Sequence, residues 1–272
     1  MTKDLFDLEG FGYIVTGGLG FLGREHCKAI ASSGGIPIAI DINLDDAEIF
    51  ANELKNKYGV SLISYKADIT NEEELREISL DIKKRTLLKG VINNAARNPK
   101  VGNQGLIDDS RLESFSIDEW TKDINIGLTG AFLITKVFGT SMSKNQGGSI
   151  INISSDLGLI SPKQSLYWKD DLEEEFQPVK PVTYSVVKSG LIGLTKYTAT
   201  YWPKKVRCNC LCPGGVFNNQ SQEFLKKVNL EIPISRLANK DEYWGIIIYL
   251  LSGASSYMNG SIISIDGGRT AW

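Results

Sequence analysis

Short β-branched runs alternate with longer helical stretches along this chain, and no other feature narrows its fold as far. The runs are Gly12 to Thr16, Pro37 to Asp41, Ser61 to Lys66, Gly90 to Asn93, Ser149 to Ser154, Val206 to Leu211 and Ser261 to Ile265. Between them the apolar period lengthens to that of helices: Phe21 to Ser32, Leu44 to Lys57, Asn71 to Lys84, Ile117 to Ser143, Tyr184 to Tyr201 and Lys240 to Leu251. Such alternation predicts an α/β fold, a doubly wound parallel sheet of about seven strands with helices on both faces. A ligand is then expected at the carboxyl ends of the strands.

No internal repeat or Pro/Ser-rich linker divides the sequence, so residues 1–272 read as one domain. Two irregular stretches interrupt it: Arg97 to Arg111, and an insertion at 156–181 with Pro162, Pro178, Pro181 and an acidic run from Asp170 to Glu175. Loops of this length inside a compact domain carry function or lack order.

Charge argues against polyanionic partners. Thirty Lys and Arg face 32 Asp and Glu, so no net field draws the chain to nucleic acid or to an anionic membrane. The N-terminus carries Asp4 and Asp7 where an export signal would be basic and then apolar. The apolar stretch Trp244 to Leu251 is far shorter than the roughly 20 residues of a spanning helix. A cytoplasmic location is expected. Cys208, Cys210 and Cys212 share one face of a strand, but the remaining Cys27 and the single His26 lie on a distant helix. That is a poor ligand set for structural zinc, so no metal is expected and the thiols read as buried and reduced. His26 reads as a packing or helix-surface residue.

The first strand runs through Thr16-Gly17-Gly18-Leu19-Gly20-Phe21-Leu22-Gly23 into a helix. Glycines at that junction let the backbone turn tightly and approach a pyrophosphate, whose charge meets the helix N-terminus. Gly17, Gly20, Phe21, Leu22 and Gly23 are therefore candidate dinucleotide contacts. Asp41 closes the second strand roughly 20 residues on, where a carboxylate accepts from the ribose hydroxyls and repels a 2′-phosphate, which points to NAD. Arg24 is the one nearby argument for NADP. Asp68, with Ile69 beside it at the end of the third strand, is a candidate adenine contact.

Tyr184 and Lys188 stand four apart at the start of a helix and share a face. A neighbouring ammonium and a positive nicotinamide favour the phenolate of such a tyrosine, which can then exchange a proton with a hydroxyl or carbonyl oxygen.

Around this pair the sequence resembles the short-chain dehydrogenase/reductase family over essentially its whole length. The resemblance is carried by Asn93-Asn94-Ala95-Ala96, Asn125, Ile153-Ser154-Ser155, Tyr184 with Lys188, Pro213-Gly214-Gly215-Val216 and Ile265-Asp266-Gly267-Gly268. It implies a Rossmann-type fold and a CH-OH oxidoreductase. Ser155 would bond the reacting oxygen, with Ser154 as fallback; Ser155 stands three residues before Gly158, as the family's serine does before its glycine. Tyr184 would be the acid/base, and Lys188 would bind the nicotinamide ribose and depress the tyrosine pKa. Asn125 would hold a relay water, Asn94 would brace the sheet beside Ala95 and the cofactor, and Pro213, Gly214 and Val216 would meet the nicotinamide. A homo-tetramer or homo-dimer packed through the helices of Asn125 and Tyr184 is also implied.

Three departures from the family pattern stand out. Phe21 replaces a glycine, giving a loop spaced like that of the nucleotide-sugar-modifying branch. Asn218 stands where a threonine often meets the cofactor. Ser155 and Tyr184 are 29 positions apart, about twice the family's usual separation. The intervening segment brings Lys163, Tyr167 and Trp168, whose aromatic faces and polar tips suit a hydroxyl-rich small-molecule substrate, with Arg97 and Lys100 as further candidate contacts. The same segment could instead be a subunit contact. Taken with the Asn94-Ala95-Ala96-Arg97-Asn98-Pro99-Lys100 segment and the Thr270-Ala271-Trp272 ending, this insertion makes the chain resemble reductases of flagellin modification and surface-sugar biosynthesis. The alternatives are a 3-ketoacyl or general carbonyl reductase, a dinucleotide-sensing protein without catalysis and, less in keeping with the motifs, an epimerase or dehydratase.

Overall fold

The computed structural model describes residues 5–97 and 110–272. Seven parallel strands form one sheet in the order β3-β2-β1-β4-β5-β6-β7. They are β1 Phe11–Thr16, β2 Ile36–Asp41, β3 Ile63–Lys66, β4 Leu87–Asn93, β5 Gly148–Ile153, β6 Val206–Pro213 and β7 Ile262–Ile265. The strands are apolar at nearly every position because helices cover both faces. Successive side chains enter different cores: Ile14, Ile38, Ile40, Val91 and Ile150 pack on one side, and Tyr13, Val15, Ile92, Ile151 and Ile153 on the other.

The second core is closed by α1 (Phe21–Ser32), α2 (Ala47–Tyr58) and, near the C-terminus, α7 (Trp244–Leu251). The first is closed by α3 (Glu72–Arg85), by α4, a helix running over 117–143, and by α5 (Val182–Tyr201). Asn71 caps α3 by accepting from the amides of Glu73 and Glu74. Its acidic first turn and basic last turn also match the helix dipole.

Element ends differ from the sequence expectation by a few residues, and three differences have a local cause. β4 begins at Leu87 rather than Gly90, because Leu87 and Leu88 pair with Phe11 and Gly12 across a register shift. Helix α4 holds two π-helical turns, Asn125–Thr129 and Thr135–Gly139, which change which side chains face inward. Helix α6 (Gln222–Asn229), capped by Ser221, is amphipathic through Phe224, Leu225 and Val228 but only 8 residues long, too short for its period to stand out in the sequence.

The chain leaves β1 for β2 and β3, then returns to β4 on the other flank of β1. That reversal opens a crevice at the carboxyl ends of β1 and β4. All four cysteines are buried free thiols. His26 is buried too, and burial pushes its pKa down to about 4. Among the described residues no helix is long and apolar enough to cross a membrane, and no group of three or more His, Cys, Asp or Glu could hold a metal.

Candidate active site

A cleft of about 660 Å3 follows the crevice from Asp41 and Asp68 at one end to Tyr184, Lys188 and Arg269 at the other. At the first end, backbone makes the surface. Gly17 has φ +60, and a Cβ there would meet the backbone of Ala95 at 3.2 Å. Gly23 does not line the cleft: a Cβ on it would come within 1.9 Å of the Gly17 carbonyl, so it supports the loop by packing beneath it rather than by touching a ligand. Gly20, Phe21 and Leu22 do line it.

Asn94 donates through Nδ2 to the carbonyls of Thr16 (2.9 Å) and Gly17 (3.3 Å), while Thr16 Oγ1 accepts from the amides of Asn94 and Ala95. These bonds stitch β1 to β4 directly under the loop. Asp41 lines the cleft and accepts through Oδ2 from the amide of Leu19 at 3.0 Å. Arg24 turns away: its Nε donates to the Leu19 carbonyl at 2.9 Å, Nη2 pairs with Asp46 at 3.3 Å, and its guanidinium lies over the Phe50 ring. Asp68 also lines the cleft, but its Oδ1 accepts from Thr70 N and Oγ1. Ile69, Ala95, Pro213, Gly214 and Val216 complete the wall.

At the other end Ser155, Tyr184 and Lys188 come together. β5 delivers Ser154 and Ser155, and α5 carries Tyr184 and Lys188 in its first turns. Ser154 Oγ donates to the Lys188 carbonyl at 2.7 Å, so it pins strand to helix, whereas Ser155 Oγ donates to Asp156 Oδ1 at 2.7 Å and lies near enough to Tyr184 to favour its phenolate. Lys188 donates to the Ile153 carbonyl at 2.9 Å, and burial pushes its pKa down to about 8. Burial raises the Tyr184 phenol, opposed by the Ser155 hydrogen bond and reinforced by Asp156. Without a bound cation the tyrosine is therefore a proton donor at neutral pH rather than a phenolate.

Asn125 is not part of this group. It is exposed and opens a π-turn, where its Oδ1 accepts from Thr129 at 3.5 Å. The residue facing α5 is Gly127, and a Cβ there would meet Val187 at 2.5 Å. Beside it a void of about 10 Å3, lined in part by Gly127, Asp123, Thr183 and Lys188, has room on the order of one water.

The insertion at 156–181 brings Asp156, Leu157, Tyr167 and Lys180 to the lining of the cleft. Leu166 packs with Val228, Ile232 and Leu237, and Tyr167 packs with Phe224 of α6. Gln177 ties the segment together by donating to Lys169 O and accepting from Lys169 N, both at 2.8 Å. Tyr167 lines the cleft, and burial raises its pKa to about 12. Trp168 does not line it: it is 37% exposed, and its carbonyl accepts from Lys227. Lys163 also turns outward, to pair with Glu231 at 2.6 Å. Arg97 reaches the cleft but is held by Glu119 (2.8 Å) and Asp123 (3.0 Å). Lys100 lies outside the described residues.

Sequence reasoning passed over Asp156, Lys180 and Arg269, all of which line the cleft. Asp156 accepts from Ser155 Oγ at 2.7 Å and pairs with Arg269 Nη1 at 2.7 Å. Lys180 Nζ stands 3.9 Å from the centroid of the Tyr184 ring. Their positions beside Ser155, Tyr184 and the Asp-Gly-Gly turn were the available signal.

The glycine cradle and the Asp41 carboxylate suit a dinucleotide, and the serine, tyrosine and lysine suit proton exchange at a carbinol oxygen. Fold and site together define a nicotinamide-dependent oxidoreductase. The chain belongs to the short-chain dehydrogenase/reductase family, acting on CH-OH groups: the family model described as short chain dehydrogenase matches residues 13–168, and that described as Enoyl-(Acyl carrier protein) reductase matches 173–270. It is 29% identical over 266 residues to the 3-oxoacyl-(acyl-carrier-protein) reductase FabG of Aquifex aeolicus, with 96% of this chain and 98% of that protein covered. It is 28% identical over 263 residues to the Post-translational flagellin modification protein A of Campylobacter coli, with the same coverage. With the NADP-dependent mannitol dehydrogenase of Alternaria alternata it shares 30% over 273 residues, covering 98% and 94%. A gluconate 5-dehydrogenase from Burkholderia cenocepacia, solved with NADP and tartrate, has the same fold with a TM-score of 0.85 over the full length of both chains at 22% identity. A short chain dehydrogenase from Leptospira borgpetersenii with bound NAD+ gives 0.81 at 27% identity, covering 99% and 96%.

Proposed function

We propose that this chain is an NAD(H)-dependent oxidoreductase acting on a hydroxyl/ketone carbon of a sugar or sugar derivative, in surface-glycan biosynthesis. The observation that carries the reading is the meeting of Ser155, Tyr184 and Lys188 at one end of a cleft whose other end presents Asp41. The nicotinamide accepts or supplies the hydride when bound. Ser155 turns its one hydroxyl proton from Asp156 Oδ1 to the substrate oxygen, and Tyr184 takes the hydroxyl proton in oxidation or returns it in reduction. Lys188 keeps positive charge next to that exchange. Gly17, Gly20 and Leu22 hold the pyrophosphate, and Pro213, Gly214 and Val216 hold the nicotinamide end.

The choice of NAD follows from charge. A 2′-phosphate would bring its negative charge against the Asp41 carboxylate, and Arg24 is committed to Asp46 and the Leu19 carbonyl. The choice of a sugar is supported by Tyr167 in the wall and by relatives named for flagellin modification and for mannitol. We place the enzyme in the cytoplasm as a single domain, paired with a second copy through α4 and α5, where Phe132, Val186, Tyr197 and Tyr201 are exposed. Steady-state rates with NAD and NADP against polyols, sugar acids, sugar phosphates, nucleotide sugars and an acetoacetyl thioester test the reading. Preferential turnover of the thioester, the class named for the FabG relative, would replace a sugar with an acyl substrate.

A further inference from the structure

We propose that Arg269 and Lys180 form a seat for a carboxylate beside Ser155 and Tyr184, so that the substrate is a hydroxy or keto acid ionised close to its reacting carbon. The inference rests on the oxidoreductase reading above and narrows its substrate class.

The placement begins with Asp156. Its Oδ1 accepts from Ser155 Oγ and from the Leu157 amide, and its Oδ2 from Arg269 Nη1, all between 2.7 and 2.8 Å. Arg269 is thereby fixed one side chain away from the serine that meets the reacting oxygen. The pair is nearly buried, with 10% of the arginine side chain and 4% of the aspartate exposed. Two charges removed from water at such a place are a weak source of stability, which leaves positioning of a guanidinium as the use that suits the cleft. Lys180 approaches from the insertion, its amide bonded to Gln164 Oε1 at 2.9 Å and its ammonium against the Tyr184 ring. Burial pushes that ammonium down to about 8 against the opposing charge of Asp156; a bound anion would hold it charged.

Charge and reach select the anion. Among the described residues the other cations lining this end are Arg97, held by two carboxylates, and Lys188, which faces the proton-exchanging tyrosine. A phosphate dianion would crowd more negative charge against Asp156. The planar guanidinium also offers the fork that a carboxylate accepts.

The test is calorimetric titration of the NAD-loaded protein with D-gluconate, with uncharged D-sorbitol of matching length and with glucose 6-phosphate, at constant ionic strength. Gluconate is expected to bind about ten-fold or more tighter than sorbitol, the scale of one well-formed charged hydrogen bond. That margin should vanish in Arg269→Gln, shrink in Lys180→Gln and partly return in Arg269→Lys. If Arg269→Gln fails to fold with Asp156 unpaired, Lys180→Gln and Arg269→Lys still decide. Equal affinities, no measurable binding of either compound, a preference for glucose 6-phosphate, or a margin untouched by the variants overturns the seat. Because binding is read apart from turnover, a gluconate preference in a protein that reduces only the thioester would refute the sugar reading and overturn the hydroxy- or keto-acid substrate with it, although the anion seat itself would remain.

Discussion

The two ends of the cleft are made of different material. At the dinucleotide end the surface is backbone and short side chains, brought close because Gly17 and Gly23 lack a Cβ and Asn94 ties β1 to β4. At the substrate end it is long and charged side chains from distant parts of the chain: Tyr167, Lys180, Phe224 and Arg269. The first end recognises a constant ligand through geometry that a short motif can encode. The second recognises a particular ligand through contacts that only the folded chain assembles. Substrate can therefore change while cofactor binding stays as it is.

Tyr184→Phe should separate the two ends most sharply. Loss of the acid/base is expected to lower kcat by about two to four orders of magnitude. NADH affinity, read by fluorescence titration, should stay within a few-fold. Near-normal turnover would remove Tyr184 from the chemistry. Gly23→Ala should act in the opposite sense, on the end built from backbone. Its methyl would meet the Gly17 carbonyl, which is part of the loop itself and cannot swing aside. Overpacking of this kind costs about 1 to 3 kcal/mol. A lower Tm accompanied by weakened NADH binding is expected, and an unchanged NADH affinity would show that the loop does not need this approach.

The comparison also explains what could be read in advance. The doubly wound parallel sheet followed from the alternation of elements, and the glycine turn and Asp41 from local spacing, whereas Asn94 came only through the resemblance. Asn125 was given a relay water by the resemblance alone; it is exposed at the start of the π-turn Asn125–Thr129, and Gly127 is the residue set against Val187 of α5. Lys163 and Trp168 look like cleft residues from their position between Ser155 and Tyr184. They face outward because the insertion docks through Leu166 and Tyr167 onto α6, a helix the sequence scarcely announces. Arg269 could not be placed, since its partner Asp156 lies 113 positions away.

Smaller effects sharpen the contrast. Asp41→Ser should move the ratio of kcat/KM for NAD over NADP towards NADP by about ten-fold or more, on the scale of removing one like-charge contact. A wild-type preference for NADP would overturn the role given to Asp41. In the reduction direction both Tyr184 and Lys188 must carry their protons. Lys188 loses its proton first, near pH 8, because burial depresses the amine and raises the phenol. The kcat/KM should be level below about pH 8 and fall roughly ten-fold per unit above it. Since Lys180 is also pushed down to about 8, the falling limb should persist in Lys180→Gln; its disappearance there would assign it to the wrong lysine. Trp168→Ala, at a position outside the cleft, should change kcat/KM less than about two-fold. A larger loss would put Trp168 in the substrate wall.

The contact between Gly127 and Val187 sets an order on how this protein can change over generations. A methyl at 127 collides with Val187 while that residue keeps its branches, 2.5 Å away. Trimming 187 first leaves a small void that a later methyl at 127 could fill, and an alanine there would also recover up to about 1 kcal/mol of helix propensity. The two substitutions can be accepted in one order and not in the other. Positions 127 and 187, on the helices bearing the π-turn and Tyr184, are therefore coupled, so that a larger side chain at one needs a smaller one at the other.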